Sequence, residues 1–252
     1  MSVDDFLGGL VRLIQLEKGY RAGMDAVLLA ASIKANSSDK VLDLGTGTGG
    51  VAICLAARCP GVVIDGLEIQ ENLIELAVQN VVLNDFAERI KIHQGSILEN
   101  PAVVPENYYD HVFANPPYLE GGAVNHSPSK TKDLAHFGAN DASIEDWVKF
   151  ALSRVKNKGT LTFIFRADRV DELLSALHRR AGEAVIFPLW PRAGEVAKRV
   201  IVQARKGLHG GATLAPGLPL HGKNDRYSPE AEAILRDGQA INLSRYHRAK
   251  GP

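Results

Sequence analysis

Residues 40–50 read KVLDLGTGTGG, an aliphatic run that leads directly into a glycine-rich turn. The run is typical of a short buried β-strand, and residues 51–58 after the turn are typical of a helix. Glycine suits such a turn because a ligand must approach the backbone and because some positions require a positive φ. The stretch therefore predicts a strand–turn–helix unit with a ligand site at the carboxyl edge of a parallel sheet.

Strand-like and helix-like segments alternate along the chain from this unit onward. The predicted strands span residues 40–44, 62–68, 90–94, 110–114, 159–165, 183–189 and 199–204. The predicted helices span residues 51–58, 71–83, 143–156 and 168–181. Strands separated by helices imply an α/β fold, with a mostly parallel seven-stranded sheet covered on both faces. Only residues 190–198 separate the last two strands, too few for a helical crossover, so we expect an antiparallel hairpin at the sheet edge.

Three regions divide the chain on this pattern. Residues 1–39 form a lead-in segment with one helix at 24–33, residues 40–207 form the α/β domain, and residues 208–252 form a tail. The tail is rich in glycine and proline and has one short predicted helix at 229–236. Within the α/β domain, Ser143 is the expected N-cap of the third helix.

Composition narrows the class of protein. The 252 residues are 45% hydrophobic and 23% charged, which is ordinary for a globular protein. The first residues lack the basic start and apolar core of a signal peptide, and no apolar run approaches the ~18 residues that span a bilayer. We therefore expect a cytoplasmic protein with no membrane partner. The two cysteines and the eight scattered histidines show no metal-ligand spacing, so no metal is expected.

The zero net charge conceals an asymmetry between the two halves of the chain. Residues 1–120 carry 8 Lys/Arg and 16 Asp/Glu, whereas residues 121–252 carry 21 and 13. A basic half is typical of a protein with a polyanionic partner, and it is equally typical of solvated helix faces. Charge alone leaves both interpretations open.

The glycine-rich turn and the end of the second strand together indicate a nucleotide-like cofactor. Glu68 ends that strand, where a carboxylate can accept hydrogen bonds from both hydroxyls of a ribose. Gly45, Gly47 and Gly50 also satisfy the GxGxxG pattern of dinucleotide-binding domains, and Glu68 lies near the offset of about 20 residues that this pattern requires. The residues therefore leave the choice of cofactor open.

Residues 41–49, VLDLGTGTG, resemble the first motif of class I S-adenosylmethionine-dependent methyltransferases. That family has a Rossmann-like seven-stranded sheet ending in an antiparallel hairpin, which matches the pattern above. The resemblance implies S-adenosylmethionine as cofactor. Ser96 stands where the family usually has an acidic residue beside the adenine, and the backbone of Ile97 can serve instead. The residues implied to bind the cofactor are Tyr20, Asp25, Asp43, Gly45, Thr46, Gly47, Gly49, Glu68, Ile69, Ser96, Ile97 and Asn115.

The tetrapeptide Asn115-Pro116-Pro117-Tyr118 is similar to the catalytic motif of methyltransferases that act on planar nitrogens. Its chemistry suits such an acceptor, because the Asn115 side chain and the Pro116 carbonyl can each accept a hydrogen bond from the amine. The prolines fix φ near −65° and so preset both acceptors. Tyr118 can stack on a base, a contact of about 1–3 kcal/mol. The resemblance thus implies Asn115, Pro116 and Tyr118 as catalytic residues.

The N-terminal run at residues 15–31 resembles bacterial tRNA adenine-N6 methyltransferases that modify the anticodon loop of a valine tRNA. This resemblance implies RNA as partner, a tRNA anticodon loop in particular. Lys130, Lys132 and His136 follow the tetrapeptide in a polar loop that can close over the nucleotide. The candidates for phosphate contacts are Arg192, Lys198, Arg199, Lys223, Arg226 and Arg236. Each of these side chains, taken singly, is equally explained as a solvated surface residue.

Other functions remain open at this point. Methyltransferases of protein glutamine or of guanine N2 share the tetrapeptide, although the release-factor enzymes carry an extra N-terminal helical domain and only 39 residues precede the first strand here. An NAD-dependent oxidoreductase would explain the glycine turn but not the tetrapeptide. A regulatory protein that binds the cofactor without catalysis would not need the tetrapeptide either.

Overall fold

The computed structural model describes residues 1–19, 21–117, 142–222, 224 and 226–247. The strands of this part of the chain are β1 (Ser2–Phe6), β2 (Val11–Gln15), β3 (Lys40–Leu44), β4 (Val63–Glu68), β5 (Ile90–Gln94), β6 (Tyr109–Ala114), β7 (Val155–Arg166), β8 (Ala181–Arg192), β9 (Arg199–Lys206), β10 (Thr213–Leu214) and β11 (Leu218–His221). The helices are α1 (Met24–Ser32), α2 (Gly50–Arg58), α3 (Glu71–Leu83), α4 (Ile144–Arg154), α5 (Val170–Leu177) and α6 (Pro229–Asp237).

The main sheet places the first predicted strand at its centre. Its order is β10-β8-β9-β7-β6-β3-β4-β5, with β11 also pairing with β8, which makes nine strands in the described part of the chain. Strands β5, β4, β3, β6 and β7 are parallel, and β9 is antiparallel to both β7 and β8. The α/β class, the mostly parallel sheet and the terminal antiparallel hairpin are confirmed. The carboxyl ends of the parallel strands all meet at one edge, here called the carboxyl edge; the opposite one is the amino edge.

Some element boundaries differ from the sequence-based prediction. The predicted helix at 143–156 ends at Arg154, because Val155 adopts extended backbone (φ −72°, ψ 142°) and begins β7. The predicted helix at 168–181 ends at Leu177, and Arg179 has a left-handed φ of 61° that no helix continues through. Strands β1, β2, β10 and β11 are additional: β1 and β2 form a separate two-stranded hairpin, and β10 and β11, only two and four residues long, both pair with β8 in the main sheet.

Local capping explains where two helices start. The Ser143 hydroxyl accepts a hydrogen bond from the Asp146 N–H, and the Asp146 side chain accepts one from the Ser143 N–H, so the predicted N-cap is confirmed as a full capping box. The Ser228 hydroxyl caps α6 by accepting from the Ala231 N–H, and Gly238 ends that helix with a left-handed φ of 68°. None of the helices in the described ranges is long and apolar enough to cross a membrane.

Asn80 of α3 and Asn84, which directly follows this helix, attach the N-terminal β1–β2 hairpin to the domain. The Asn80 side chain is fully buried; its Oδ1 accepts from the Ile14 N–H at 2.6 Å, and its Nδ2 donates to the Ile14 and Thr48 carbonyls, both at 3.0 Å. One turn later, Asn84 makes the equivalent pair of bonds to the backbone of Arg12. The backbone N–H and C=O groups on the outer edge of β2 are thereby hydrogen-bonded by asparagine side chains instead of by another strand. Asn80 also ties the hairpin to the glycine-rich turn.

The core lies on both faces of the sheet. On one face Val41, Ile64 and Ile164 pack with α1 and α2, and the terminal segments contribute Leu13 and Ile234 to the same buried cluster. On the other face the buried side chains come from the sheet and from α4 and α5. The N-terminal hairpin and the tail therefore share one continuous core with the central sheet.

Candidate active site

The glycine-rich turn connects β3 to α2 at the carboxyl edge. Gly45, Gly47 and Gly49 have φ values of 66°, 58° and 82°, a region that disfavours residues with a Cβ atom. The Gly45 and Thr46 N–H groups both donate to the Leu67 carbonyl of β4, at 2.8 and 3.1 Å. The turn is thus fixed to the neighbouring strand and leaves its outer surface open.

Trp147 of α4 packs directly on the turn. A Cβ atom on Gly45 would lie 2.7 Å from the Trp147 ring, and the indole is 7% exposed. Glycine is therefore required at position 45 by the backbone conformation and by the tryptophan together. The ring forms one wall of the site.

Glu68 ends β4 with its carboxylate held by backbone N–H groups. Oε2 accepts from Gly47 at 2.9 Å, and Oε1 accepts from Ile69 at 2.8 Å and from Gln70 at 2.9 Å. The residue is 6% exposed. Three donors fix the orientation of the carboxylate, and the remaining lone pairs can accept hydroxyl groups of a ligand.

Asp43 lies beneath the turn. Its carboxylate accepts from the Thr46 hydroxyl at 2.8 Å, and the residue is 1% exposed. Burial raises the pKa of Asp43 to about 7, against the lowering effect of the Thr46 hydrogen bond. The side chain therefore supports the turn from inside the protein.

A cavity of about 330 Å³ lies above the turn, within the size range of small-molecule sites. It is lined by Gly45, Gly47, Leu67, Glu68, Ile69, Gln70, Leu73, Gly95, Ser96, Ile97, Leu98, Asn115, Pro117, Ala142 and Trp147. The sequence predicted seven of these as site residues: Gly45, Gly47, Glu68, Ile69, Ser96, Ile97 and Asn115. These residues come from the ends of four neighbouring strands.

The tetrapeptide begins at the rim of this cavity. Asn115 directly follows β6 and lines the cavity, Pro116 is buried, and Pro117 is exposed. Pro116 and Pro117 also line a second cavity of about 250 Å³ with Phe165 of β7. Tyr118 lies outside the described residues.

Several predicted site residues lie elsewhere. Asp43 and Thr46 are beneath the turn, and Gly49 faces Ile53 and Ala77 of the helices behind it. The Asp25 carboxylate of α1 accepts from Arg199 Nε at 2.9 Å. Tyr20, Lys130, Lys132, His136 and Lys223 lie outside the described residues.

The structure also adds residues that the sequence did not indicate. Trp147 and Ala142 belong to the region before and within α4, far from the turn in sequence, so no local pattern signals their contact with it. Gln70 and Leu73 follow Glu68 by two and five residues. Their positions at the start of α3 could have indicated that they line the site, because a helix that follows a parallel strand begins at the carboxyl edge of the sheet.

The residues present fit an adenosine-bearing cofactor. Glu68 offers acceptor oxygens for ribose hydroxyls, and Leu73, Ile97 and Leu98 provide apolar walls for an adenine ring. Gly45 and Gly47 line the cavity with backbone atoms alone, so a ligand can lie close to the turn. In the described part of the chain, no group of three or more His, Cys, Asp or Glu side chains is placed to hold a metal ion.

Comparison with known proteins identifies the class. Residues 22–131 match the family model described as "Methyltransferase small domain". A crystal structure from Agrobacterium tumefaciens, described as a predicted O-methyltransferase, superposes with a TM-score of 0.73 at 25% identity and covers 86% of this chain and 98% of that one. The fold, the cavity and these matches define an S-adenosylmethionine-dependent methyltransferase.

Curated relatives narrow the class to one family. A tRNA1(Val) (adenine(37)-N6)-methyltransferase from Actinobacillus pleuropneumoniae is 31% identical over 185 residues, which is 72% of this chain and 75% of that protein. A protein of the same name from Pedobacter heparinus is 36% identical over 115 residues, 46% of this chain and 47% of that protein. The chain belongs to this methyltransferase family.

Proposed function

We propose that the protein transfers the methyl group of S-adenosylmethionine to the exocyclic N6 of an adenine in the anticodon loop of a tRNA. Two kinds of observation support this acceptor. The relatives that cover most of the chain carry names that specify adenine 37 of a valine tRNA. The residues after 120 carry an excess of eight positive charges, which suits a polyanionic substrate.

The observation that carries the proposal is that Asn115 lines the same cavity as Glu68. The carboxylate proposed to bind the cofactor and the residue proposed to hold the acceptor thus line one cavity. A bound S-adenosylmethionine would supply an electrophilic methyl group on a sulfonium. Asn115 would then hold the adenine amine within reach of that methyl group, which removes the entropic cost of bringing two reactants together.

The hydrogen-bonding groups of the tetrapeptide match an exocyclic amine. The amine lone pair is delocalised into the ring and is a weak nucleophile. The Asn115 side-chain oxygen and the Pro116 carbonyl can each accept one N–H, which favours a pyramidal nitrogen with its lone pair directed outward. The amine loses its proton after attack, so the site requires no strong general base. Tyr118 is proposed to stack on the flipped base.

An acceptor assay tests the proposal. The full chain and labelled S-adenosylmethionine are incubated separately with unmodified tRNA, with a release-factor protein and with small amines, and labelled nucleosides are separated after digestion of the RNA. We expect label in N6-methyladenosine. Label in N2-methylguanosine would show that the acceptor is guanine and not adenine. Label in the release-factor protein alone would show that the acceptor is a protein glutamine and not RNA.

Asn115→Ala tests the role of the tetrapeptide. We expect kcat to fall roughly 10²-fold or more, the effect of removing one hydrogen-bonding group at a reacting centre, while the Kd for S-adenosylmethionine changes little. Asn157→Ala is the matched control, because Asn157 lines a cavity at the amino edge; its kcat should equal that of the wild type. Equal losses of binding and turnover in Asn115→Ala would contradict the role in catalysis.

A further inference from the structure

The tip of the β8–β9 hairpin lies beside the end of β7 at the carboxyl edge. Arg199, the first residue of β9, is the direct cross-strand partner of Arg166, the last residue of β7. The Ala167 N–H donates to the Lys198 carbonyl at 3.2 Å and continues the pairing by one step. Three cationic side chains are thus brought together by strand register.

This arrangement has an electrostatic cost. Like charges directly opposite each other on neighbouring strands destabilise a sheet. Within the described part of the chain each arginine pairs with a carboxylate: Arg166 donates to both Asp168 oxygens, at 2.9 and 2.5 Å, and Arg199 donates to Asp25 at 2.9 Å. Lys198 is exposed and forms no ion pair with the residues that the structure describes.

A groove of about 370 Å³ lies between these side chains, here called the basic groove. It is lined by Arg166, Asp168, Ala197, Lys198 and Arg199, so three cations face one carboxylate. Asp168 is a weak competitor for Arg166, because its side chain is 62% exposed and surface ion pairs contribute only about 0–1 kcal/mol. An anion with several oxygens can replace it by engaging the planar guanidinium group at two points.

The basic groove is close to the acceptor side of the active site. Strand β7 is the neighbour of β6, which ends immediately before Asn115. Phe165, the residue before Arg166, lines the second cavity together with Pro116 and Pro117. A phosphate in the basic groove would therefore belong to an RNA strand that passes along the carboxyl edge beside the tetrapeptide.

We propose that the basic groove binds the phosphate backbone of the substrate RNA and orients the loop that carries the target base. The inference rests on the proposed tRNA acceptor. Phosphate contacts of this kind fix register without reading sequence. Lys198 provides the first contact because none of the carboxylates that the structure describes forms an ion pair with it.

A pair of charge reversals tests the basic groove. Lys198→Glu is compared with Lys158→Glu, an exposed lysine that lines the amino-edge cavity and forms no ion pair with the described residues. The Kd for an unmodified anticodon stem-loop is measured with the full chain over a range of salt concentrations. For Lys198→Glu we expect a roughly three- to tenfold weaker Kd and a salt slope reduced by about one or two. For Lys158→Glu we expect less than a twofold change.

Asp168→Asn supplies a change of opposite sign. It removes the negative charge of Asp168 from the basic groove, so the stem-loop should bind roughly two- to threefold more tightly. A gain in affinity cannot result from damage to the fold. The Kd for S-adenosylmethionine should be unchanged in all three variants.

The outcomes separate this inference from the acceptor proposal. If the wild type neither binds nor methylates tRNA, the proposed function fails. If the wild type methylates tRNA but Lys198→Glu and Lys158→Glu have equal effects, or Asp168→Asn weakens binding, the basic groove is not the RNA-binding surface.

Discussion

The two edges of the sheet carry cavities of similar size and opposite character. At the carboxyl edge, the cavity of about 330 Å³ contains Glu68, whose carboxylate is held by backbone N–H groups. At the amino edge, a cavity of about 440 Å³ is lined by side chains that bind one another. Asp110 pairs with Lys156 at 2.7 Å, and His111 bonds to the Thr160 hydroxyl at 2.6 Å.

The two cavities differ in the hydrogen-bond partners of their polar side chains. Backbone donors fix Glu68 without using a second side chain, so acceptor capacity remains for a ligand. At the amino edge, the Asp110 carboxylate and the His111 ring are instead bound by the neighbouring side chains Lys156 and Thr160. Burial lowers the pKa of His111 despite the hydrogen bond and the charge of Asp39. Cavity size therefore does not identify the site; the source of the hydrogen bonds does.

The largest difference between the two edges is expected when one carboxylate is removed from each and the cofactor Kd is measured. Glu68→Ala removes the carboxylate that we propose accepts two ribose hydroxyls, and hydrogen bonds to charged groups contribute about 1.5–3 kcal/mol each. We expect the Kd for S-adenosylmethionine, measured by calorimetry, to rise roughly 100-fold or more.

Asp110→Ala is the matched change at the amino edge. It removes the partner of Lys156 and of the Lys40 N–H. We expect a loss of about 1–2 kcal/mol in unfolding free energy and a cofactor Kd within twofold of the wild type. A comparable rise in Kd for both variants would show that the two edges are not functionally distinct.

The seven central strands of the sheet and the place where the candidate site residues meet could be predicted from the sequence, for a physical reason. Strand ends and the glycine turn are local features, and parallel topology brings their carboxyl ends together, so Gly47, Glu68 and Asn115 could be predicted to meet. Contacts that depend on tertiary packing were not predictable. Trp147 on Gly45 joins residues about a hundred positions apart, and the Arg166–Arg199 pair depends on the register of β7 and β9.

The sequence pattern also could not predict in which direction the side chain of a residue at a strand end points. Asp43 was predicted to bind the cofactor because it precedes the glycine turn. In the structure its carboxylate points under the turn toward the Thr46 hydroxyl. Its position makes the stability of the turn depend on pH.

The Asp43 pKa predicts a pH effect of intermediate size. The folded protein retains the proton up to a pKa of about 7, whereas a solvated aspartate loses it near 3.8. Between these values the folded state binds more protons than the unfolded state, so the unfolding free energy falls as the pH rises. The slope approaches about 1.4 kcal/mol per pH unit, or roughly 2 kcal/mol from pH 5 to pH 7.

Asp43→Asn isolates this contribution. The amide oxygen can still accept from Thr46, and no ionisation opposes burial at neutral pH. Denaturant unfolding at several pH values should show the variant gaining stability relative to the wild type as the pH rises from 5 to 7. A constant difference across that range would mean that Asp43 is ionised throughout in the folded protein.

The smallest effect is expected from the amino-edge ion pair. Burial raises the pKa of Asp110, but hydrogen bonds from Lys156 and from the Lys40 N–H outweigh it, and the pKa lies below its ordinary value of 3.8. A carboxylate with a lowered pKa stabilises the folded state above that value, and the stabilisation disappears as the pH falls through the folded pKa.

The Lys156 and Asp110 side chains are 44% and 31% exposed, so Lys156→Met should cost less than about 1 kcal/mol at pH 7. The Asp110 resonance in a carboxyl-detected NMR titration should move to higher pKa in the variant, with methylation unchanged. A larger loss of stability, or any loss of methylation, would show that the amino edge does more than hold the sheet together.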